Sequence, residues 1–238
     1  VTLVNDMFVY DPLSPKAATP EVVKALEKIG LRGIVSFGAG DIRSDITTKK
    51  LLKEHESLAE AAENSKLCDF RVGVAALGVQ SPELFKETIN FAKEGNFGIH
   101  IHLQEIREEV TAIRNNLGFT PIQYCAQNGL FDFPTIAAHC VWIDSEDTNI
   151  LADHSVGVAH NPMSNMILAS GVCPVPELRG MGVNVGIGID GAGSNDSQNM
   201  LESLKITPLL QRVKHLQATA LSARDAFKMA TIEGARAL

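Results

Sequence analysis

Gly98-Ile-His-Ile-His-Leu-Gln-Glu105, Thr135-Ile-Ala-Ala-His-Cys-Val141 and Val183-Asn-Val-Gly-Ile-Gly-Ile-Asp190 decide how this chain folds. Each is a short apolar run that closes on residues able to hold a proton or a metal ion. Apolar runs of this length, bounded by turn residues and separated by amphipathic stretches, predict a parallel sheet wrapped by helices. Working outward, similar runs occupy 2–9, 33–38, 70–77 and 155–160, and with 98–103, 135–141 and 183–189 they make seven predicted strands. Helical periodicity fills the gaps. Pro20 to Ile29 places Val22, Val23, Leu26 and Ile29 on one stripe, with Thr19 as the expected cap. Lys49 to Asn64 is amphipathic and charged, Ser81-Pro82 opens a helix, and Asn199–Leu216 and Ser222–Leu238 are two more. The predicted fold class is α/β, an eight-stranded βα-barrel whose first strand lies outside the sequence. The domain expected is single, and it runs over 1–238.

The bulk properties narrow the function. Twenty-one Lys and Arg against 28 Asp and Glu leave a net charge of −7, which disfavours nucleic acid or an anionic membrane as partner. No stretch of about 18 apolar residues exists to span a membrane. The four cysteines, Cys68, Cys125, Cys140 and Cys173, are widely spaced and read as small core residues in a reducing compartment, so a cytoplasmic location is expected. Val1-Thr-Leu-Val-Asn-Asp reads as the middle of a strand, so we expect a partial chain. The unpaired strand edges at Val1–Val9 and Val183–Ile189 then make self-association, and hence a homo-oligomer, an expectation.

The chemistry concentrates at strand ends, where a βα-barrel builds its active site. Residues two apart in a strand share a face, so His100 and His102 point the same way, and Glu105 lies just past the strand. A carboxylate there can take a proton from water and return it to a leaving amine. His139 is a third inward polar group, in an otherwise apolar strand. Gly186, Gly188 and Asp190 share a face, which would leave open space beneath the Asp190 carboxylate for a metal and a substrate. His102, Glu105, His139 and Asp190 together read as a metal-assisted hydrolytic centre. His160-Asn-Pro-Met-Ser-Asn165 reads as a pocket-shaping loop, and His55, His154 and His215 as surface residues.

Four ordered segments resemble the amidohydrolase superfamily, most of all its methylthioadenosine/S-adenosylhomocysteine deaminases and chlorohydrolases. They are Ile101-His-Leu-Gln-Glu105, Ala137-Ala-His-Cys-Val141, His160-Asn-Pro-Met-Ser-Asn-Met-Ile-Leu-Ala-Ser-Gly171 and Gly188-Ile-Asp-Gly-Ala-Gly-Ser-Asn195. The ending Met229-Ala-Thr-Ile-Glu-Gly-Ala-Arg-Ala-Leu238 looks like the last barrel helix of that group. The resemblance implies a (β/α)8 TIM barrel of the metal-dependent hydrolase type and one divalent metal, zinc or iron. It implies hydrolysis of a non-peptide C–N bond, the deamination of a purine-type or related heterocycle by metal-activated water. His102 and Asp190 would be metal ligands, with Asp190 also accepting a proton from the attacking water. Glu105 would carry a proton to the substrate ring, and His139 would orient the water. Arg32, Arg43, His160 and Asn161 would contact a small-molecule substrate. The group's N-terminal His-x-His and its flanking β-sandwich have no counterpart in 1–238, and Ala75 stands where the group carries a histidine. Two rival readings remain open: an inactive barrel remnant that binds or scaffolds, and a different barrel enzyme that holds phosphate near 190–195.

Overall fold

Seven parallel strands form where the apolar runs predict them. In the computed structural model, which describes residues 1–9, 19–42 and 46–238, they are β1 Leu3–Val9, β2 Arg32–Ala39, β3 Cys68–Val74, β4 Gly98–Leu103, β5 Thr135–His139, β6 Gly157–His160 and β7 Val185–Ile187. The chain divides into two compact units, Val1–Ile101 and His102–Leu238, with the boundary inside β4.

In the first unit β1, β2, β3 and β4 pair in sequence order, with Leu3 opposite Arg32, Gly33 opposite Cys68 and Arg71 opposite Gly98. Its helices are α1 Thr19–Ile29, α2 Thr48–Glu63 and α3 Pro82–Gly95. Ser81 caps α3 as expected, its hydroxyl accepting from Leu84 N–H with Pro82 at the first helical position. Thr19, expected as a cap, is instead the first residue of α1, and its hydroxyl donates to Glu54 Oε2. Val23, Leu26, Val35, Phe37, Leu51, Leu58 and Leu84 form the core, and each such side chain contributes roughly 1.5–3 kcal/mol on burial.

His55, expected at the surface, belongs to that core. It is fully buried, with its ring 5.4 Å from Phe37, 5.8 Å from Phe91 and 6.3 Å from Phe70. The reason is helical spacing. Leu51, His55, Leu58 and Ala62 lie at i, i+4, i+7 and i+11, one continuous stripe of α2. Burial pushes its pKa down to about 3, so the imidazole is neutral. His154 is exposed and His215 partly buried.

In the second unit β5, β6 and β7 pair in order, with Ile136 opposite Gly157 and Val158 opposite Val185. Around them lie α4 Arg107–Leu117, α5 Pro121–Gln127, α6 Ser145–Asp153, α7 Pro162–Ile167, α8 Val175–Gly180, α9 Ala192–Asn195, α10 Met200–His215, α11 Ala223–Met229 and α12 Ile232–Ala237. The helix predicted over Ser222–Leu238 is therefore two, broken at Thr231 (φ −129°, ψ −99°). The break lets α12 sit close on the sheet: a Cβ at Gly186 would press on the Gly234 backbone, and one at Gly157 would clash with the Ala237 carbonyl. All four cysteines are free and buried. Burial pushes the Cys173 thiol up to about 12. Among the described residues no helix is long and apolar enough to cross a membrane.

Candidate active site

Three strand exits of the second unit supply the site. β4 ends in His102 and the turn to Glu105, β5 ends in His139, and β7 is followed by Asp190. The backbone at these exits is unusual. Gln104 (φ 51°), His139 (φ 74°), Cys140 (φ 46°) and Asp190 (φ 60°) all have positive φ without being glycine. Each such residue costs about 1–3 kcal/mol and persists only where the surroundings fix it.

Those surroundings centre on Gln104, a residue that sequence reasoning missed. Fully buried, its amide donates to the Trp142 carbonyl (2.6 Å) and Asp147 Oδ2 (3.0 Å), while its Oε1 accepts from Ile122 N–H (3.0 Å). Its backbone carbonyl accepts from Val141 N–H and Trp142 N–H. The turns after β4 and β5 and the start of α5 are thereby tied to one side chain. Burial raises the pKa of Asp147, against the hydrogen bonds it accepts from Thr120 and Gln104.

At the centre, one donor atom each from His102, His139 and Asp190 lie within 4.8 Å of one another. The His102 and His139 rings stack at 5.3 Å. His139 is fully buried. Its Nε2 stands 3.7 Å from Glu105 Oε2 and 3.9 Å from Asp190 Oδ2, too far for direct hydrogen bonds, and is buried without a hydrogen-bond partner. Its Nδ1 lies 2.8 Å from Asn165 Oδ1, so with the proton on Nδ1 the Nε2 lone pair faces the two carboxylates. Asp190 accepts from the Ser164 hydroxyl at 2.6 Å and from Gly191 N–H at 2.8 Å. Burial opposes ionisation of Asp190, but the bonds from Ser164 and Gly191 hold its carboxyl below the ordinary value. Two imidazoles, one of them with an orphaned buried nitrogen, and a carboxylate are a donor set that fits a divalent metal.

The substrate-side residues fall in different places. His160, at the end of β6, is fully buried with neither ring nitrogen hydrogen bonded, and burial drives its pKa down to about 3. Asn161 is buried, and its Oδ1 fills the space a Cβ of Gly188 would take. The expected open space beside Gly186 and Gly188 is thus filled by Gly234 and Asn161, because these glycines permit close packing. Arg32 belongs to the first unit. It is the first residue of β2, exposed, and its Nε donates to the Thr2 carbonyl, at the strand end opposite the C-terminal one where barrel sites form. Arg43 lies outside the described residues. Ala75 follows β3, where its N–H donates to the Ala39 carbonyl.

Comparison with known proteins identifies the family and the fold. The Amidohydrolase family model matches residues 1–238. The chain is 41% identical over 242 residues to a 5'-deoxyadenosine deaminase of Methanothermobacter thermautotrophicus, covering 100% of this chain and 54% of that protein. It is 43% identical over 220 residues to a 5-methylthioadenosine/S-adenosylhomocysteine deaminase of Thermococcus kodakarensis, covering 92% of this chain and 52% of that one. An adenosine deaminase structure from Xanthomonas campestris with bound zinc superposes at a TM-score of 0.89 and 25% identity, over 100% of this chain and 53% of that one. An atrazine chlorohydrolase structure from Arthrobacter aurescens with zinc gives 0.89 at 23%, a likeness of fold alone, over 100% and 56%. The chain spans about half the length of the curated relatives it matches. Its fold is the parallel (β/α) arrangement of the TIM-barrel hydrolases, and the chain belongs to the amidohydrolase family.

Proposed function

We propose that this chain carries the catalytic barrel of a metal-dependent aminohydrolase that converts a 6-aminopurine nucleoside, or a closely related amino-heterocycle, to its oxo form with release of ammonia. The observation that carries the reading is the gathering of His102, Glu105, His139 and Asp190 from the exits of β4, β5 and β7. The deaminase names of its relatives support the substrate class.

His102 and Asp190 would hold the metal, for which zinc is our assignment because a similar adenosine deaminase structure has zinc bound. The ion would lower the pKa of water and so supply a hydroxide-like nucleophile near neutral pH. The remaining chemistry belongs to the side chains. His139, buried and held through Nδ1, presents Nε2 to orient the attacking water. Asp190, kept ionised by Ser164 and Gly191, accepts a proton from it. Glu105, 3.7 Å from His139, carries a proton to the substrate ring nitrogen, which makes the ring carbon electrophilic. Water then adds at that carbon. The amino group leaves as ammonia once it has received the second proton of the water. His160 and Asn161 would shape the floor of the substrate pocket. We read 1–238 as one barrel domain working in the cytoplasm, a location its four free, buried cysteines favour.

The test is ammonia release by the protein expressed from its complete reading frame. The probes are 5'-deoxyadenosine, 5'-methylthioadenosine, S-adenosylhomocysteine and guanine. Turnover of at least one adenine nucleoside, abolished by Glu105→Gln, is expected. No turnover of any probe by metal-loaded protein would refute the reading.

A further inference from the structure

Ser164, Asn165 and Ser170 lie within seven residues of one another, on α7 and the turn that follows it. Each hydrogen bonds a different member of the centre. Ser164 Oγ donates to Asp190 Oδ2 at 2.6 Å, Asn165 Oδ1 lies 2.8 Å from His139 Nδ1, and Ser170 Oγ donates to Glu105 Oε1 at 3.1 Å. The three groups so bound come from three different strand exits. All three clamp residues are buried, at 0%, 0% and 3% exposure, while the Glu105 and Asp190 side chains they hold are 23% and 20% exposed.

The segment is itself fixed. Asn165 N–H donates to the Asn161 carbonyl, Leu168 N–H to the Ser164 carbonyl and Ser170 N–H to the Asn165 carbonyl. Ala169 turns the chain at φ 54°, and Trp142 Nε1 donates to the Ser170 carbonyl at 2.7 Å. A turn fixed by its own backbone bonds therefore presents three polar groups to three side chains of the centre. On Glu105 and His139 it takes the atom that faces away from the centre, Oε1 and Nδ1, and leaves Oε2 and Nε2 turned towards each other at 3.7 Å. On Asp190 it takes Oδ2, while Gly191 N–H takes Oδ1.

We propose that Ser164–Ser170 is a positioning clamp which sets the rotamers of Asp190 and Glu105 and selects the Nδ1–H tautomer of His139. The proposal rests on the reading of these groups as the catalytic centre. Asn165 and Ser170 bind the atoms of His139 and Glu105 that are turned away from the centre, while Ser164 holds one oxygen of Asp190 itself. They act through the three groups they hold, as outer-sphere partners do when they orient ligands and bases.

The test combines two readouts on the protein from its complete reading frame. The first is ¹⁵N NMR of histidine-labelled protein after chelation, which reports imidazole tautomers without metal or substrate. His139 is expected with Nδ1 protonated and Nε2 bare, a preference lost in Asn165→Leu and kept in Asn165→Asp, which retains the acceptor. An Nε2–H tautomer in the unsubstituted protein, or an unchanged tautomer in Asn165→Leu, overturns the proposal. The second readout is kinetic. Ser170→Ala is expected to lower kcat about 10–100-fold with KM nearly unchanged, and Ser170→Thr to restore most of it. An unchanged kcat in Ser170→Ala also overturns the clamp. Absence of turnover in the unsubstituted protein sinks the deaminase reading alone, because the tautomer measurement still decides the clamp.

Discussion

Acidification from pH 7 to pH 5 should weaken the first unit through a single side chain, His55. The ring is fully buried among Phe37, Phe70 and Phe91, neither nitrogen has a hydrogen-bond partner, and burial lowers its pKa from 6.5 to about 3. In the unfolded chain the same imidazole titrates near its ordinary value. Between those two values the unfolded state binds one more proton than the folded state, so stability rises with pH by about 1.4 kcal/mol per unit. The contribution is fully present above the unfolded pKa and is lost as pH falls from about 6.5 towards 3. Integrated from pH 7 to pH 5, the loss is about 2 kcal/mol, and over the whole window about 5 kcal/mol. His160, with a similar shift, adds its own slope, so the informative quantity is the difference between two proteins. Urea unfolding followed by far-UV circular dichroism at pH 7, 6 and 5 should show His55→Leu closing on, or overtaking, the unsubstituted protein by about 2 kcal/mol at pH 5. Parallel pH profiles for the two proteins would refute the reasoning, because they would mean that His55 is hydrated or protonated in the fold.

Other substitutions test the supports of the site. Gln104→Ala removes three side-chain hydrogen bonds and orphans Ile122 N–H, so a loss of about 3 kcal/mol is expected in urea unfolding followed by Trp142 fluorescence. Gly188→Ala forces a methyl group against Asn161 Oδ1, and thermal unfolding should register about 1–3 kcal/mol of destabilisation. Ser222→Ala removes the capping box that opens α11 and should cost about 1 kcal/mol. The Ser222 hydroxyl is also the main cause holding the Asp225 carboxyl below its usual value. That contribution is present above the unfolded carboxylate pKa and is lost as pH falls through the folded one, so the cost of Ser222→Ala should shrink in acid. Calorimetric scans at pH 7 and pH 3 check this.

How far the sequence carries can be seen in particular residues. All seven strands were legible because buried parallel strands are written as Val/Ile runs between turn residues, and β4 matches its prediction residue for residue. His102, His139 and Asp190 were legible as candidates because each closes such a run. His55 was misread although Leu51, His55, Leu58 and Ala62 carry the stripe, because a polar residue type was given more weight than its spacing. The break at Thr231 was hidden because Ser222–Leu238 has unbroken helical propensity, and only the approach of Gly234 to Gly186 explains it. Gln104 and the Ser164–Ser170 clamp were out of reach for a related reason. Their partners lie 18 to 65 positions away in sequence, so only tertiary structure brings them together. The polar loop His160–Asn165 reads in sequence as pocket-shaping, and the atoms it holds, Asp190 Oδ2 and His139 Nδ1, are not legible there.

The most direct test of the central claim is metal content, measured by elemental analysis of the protein from its complete reading frame beside His102→Ala and Asp190→Asn. The account predicts close to one divalent metal, zinc first, per chain, with loss in both variants and no loss of fold by circular dichroism. Metal retained at the same stoichiometry in both variants, or absent from the unsubstituted protein after purification in zinc, would contradict it.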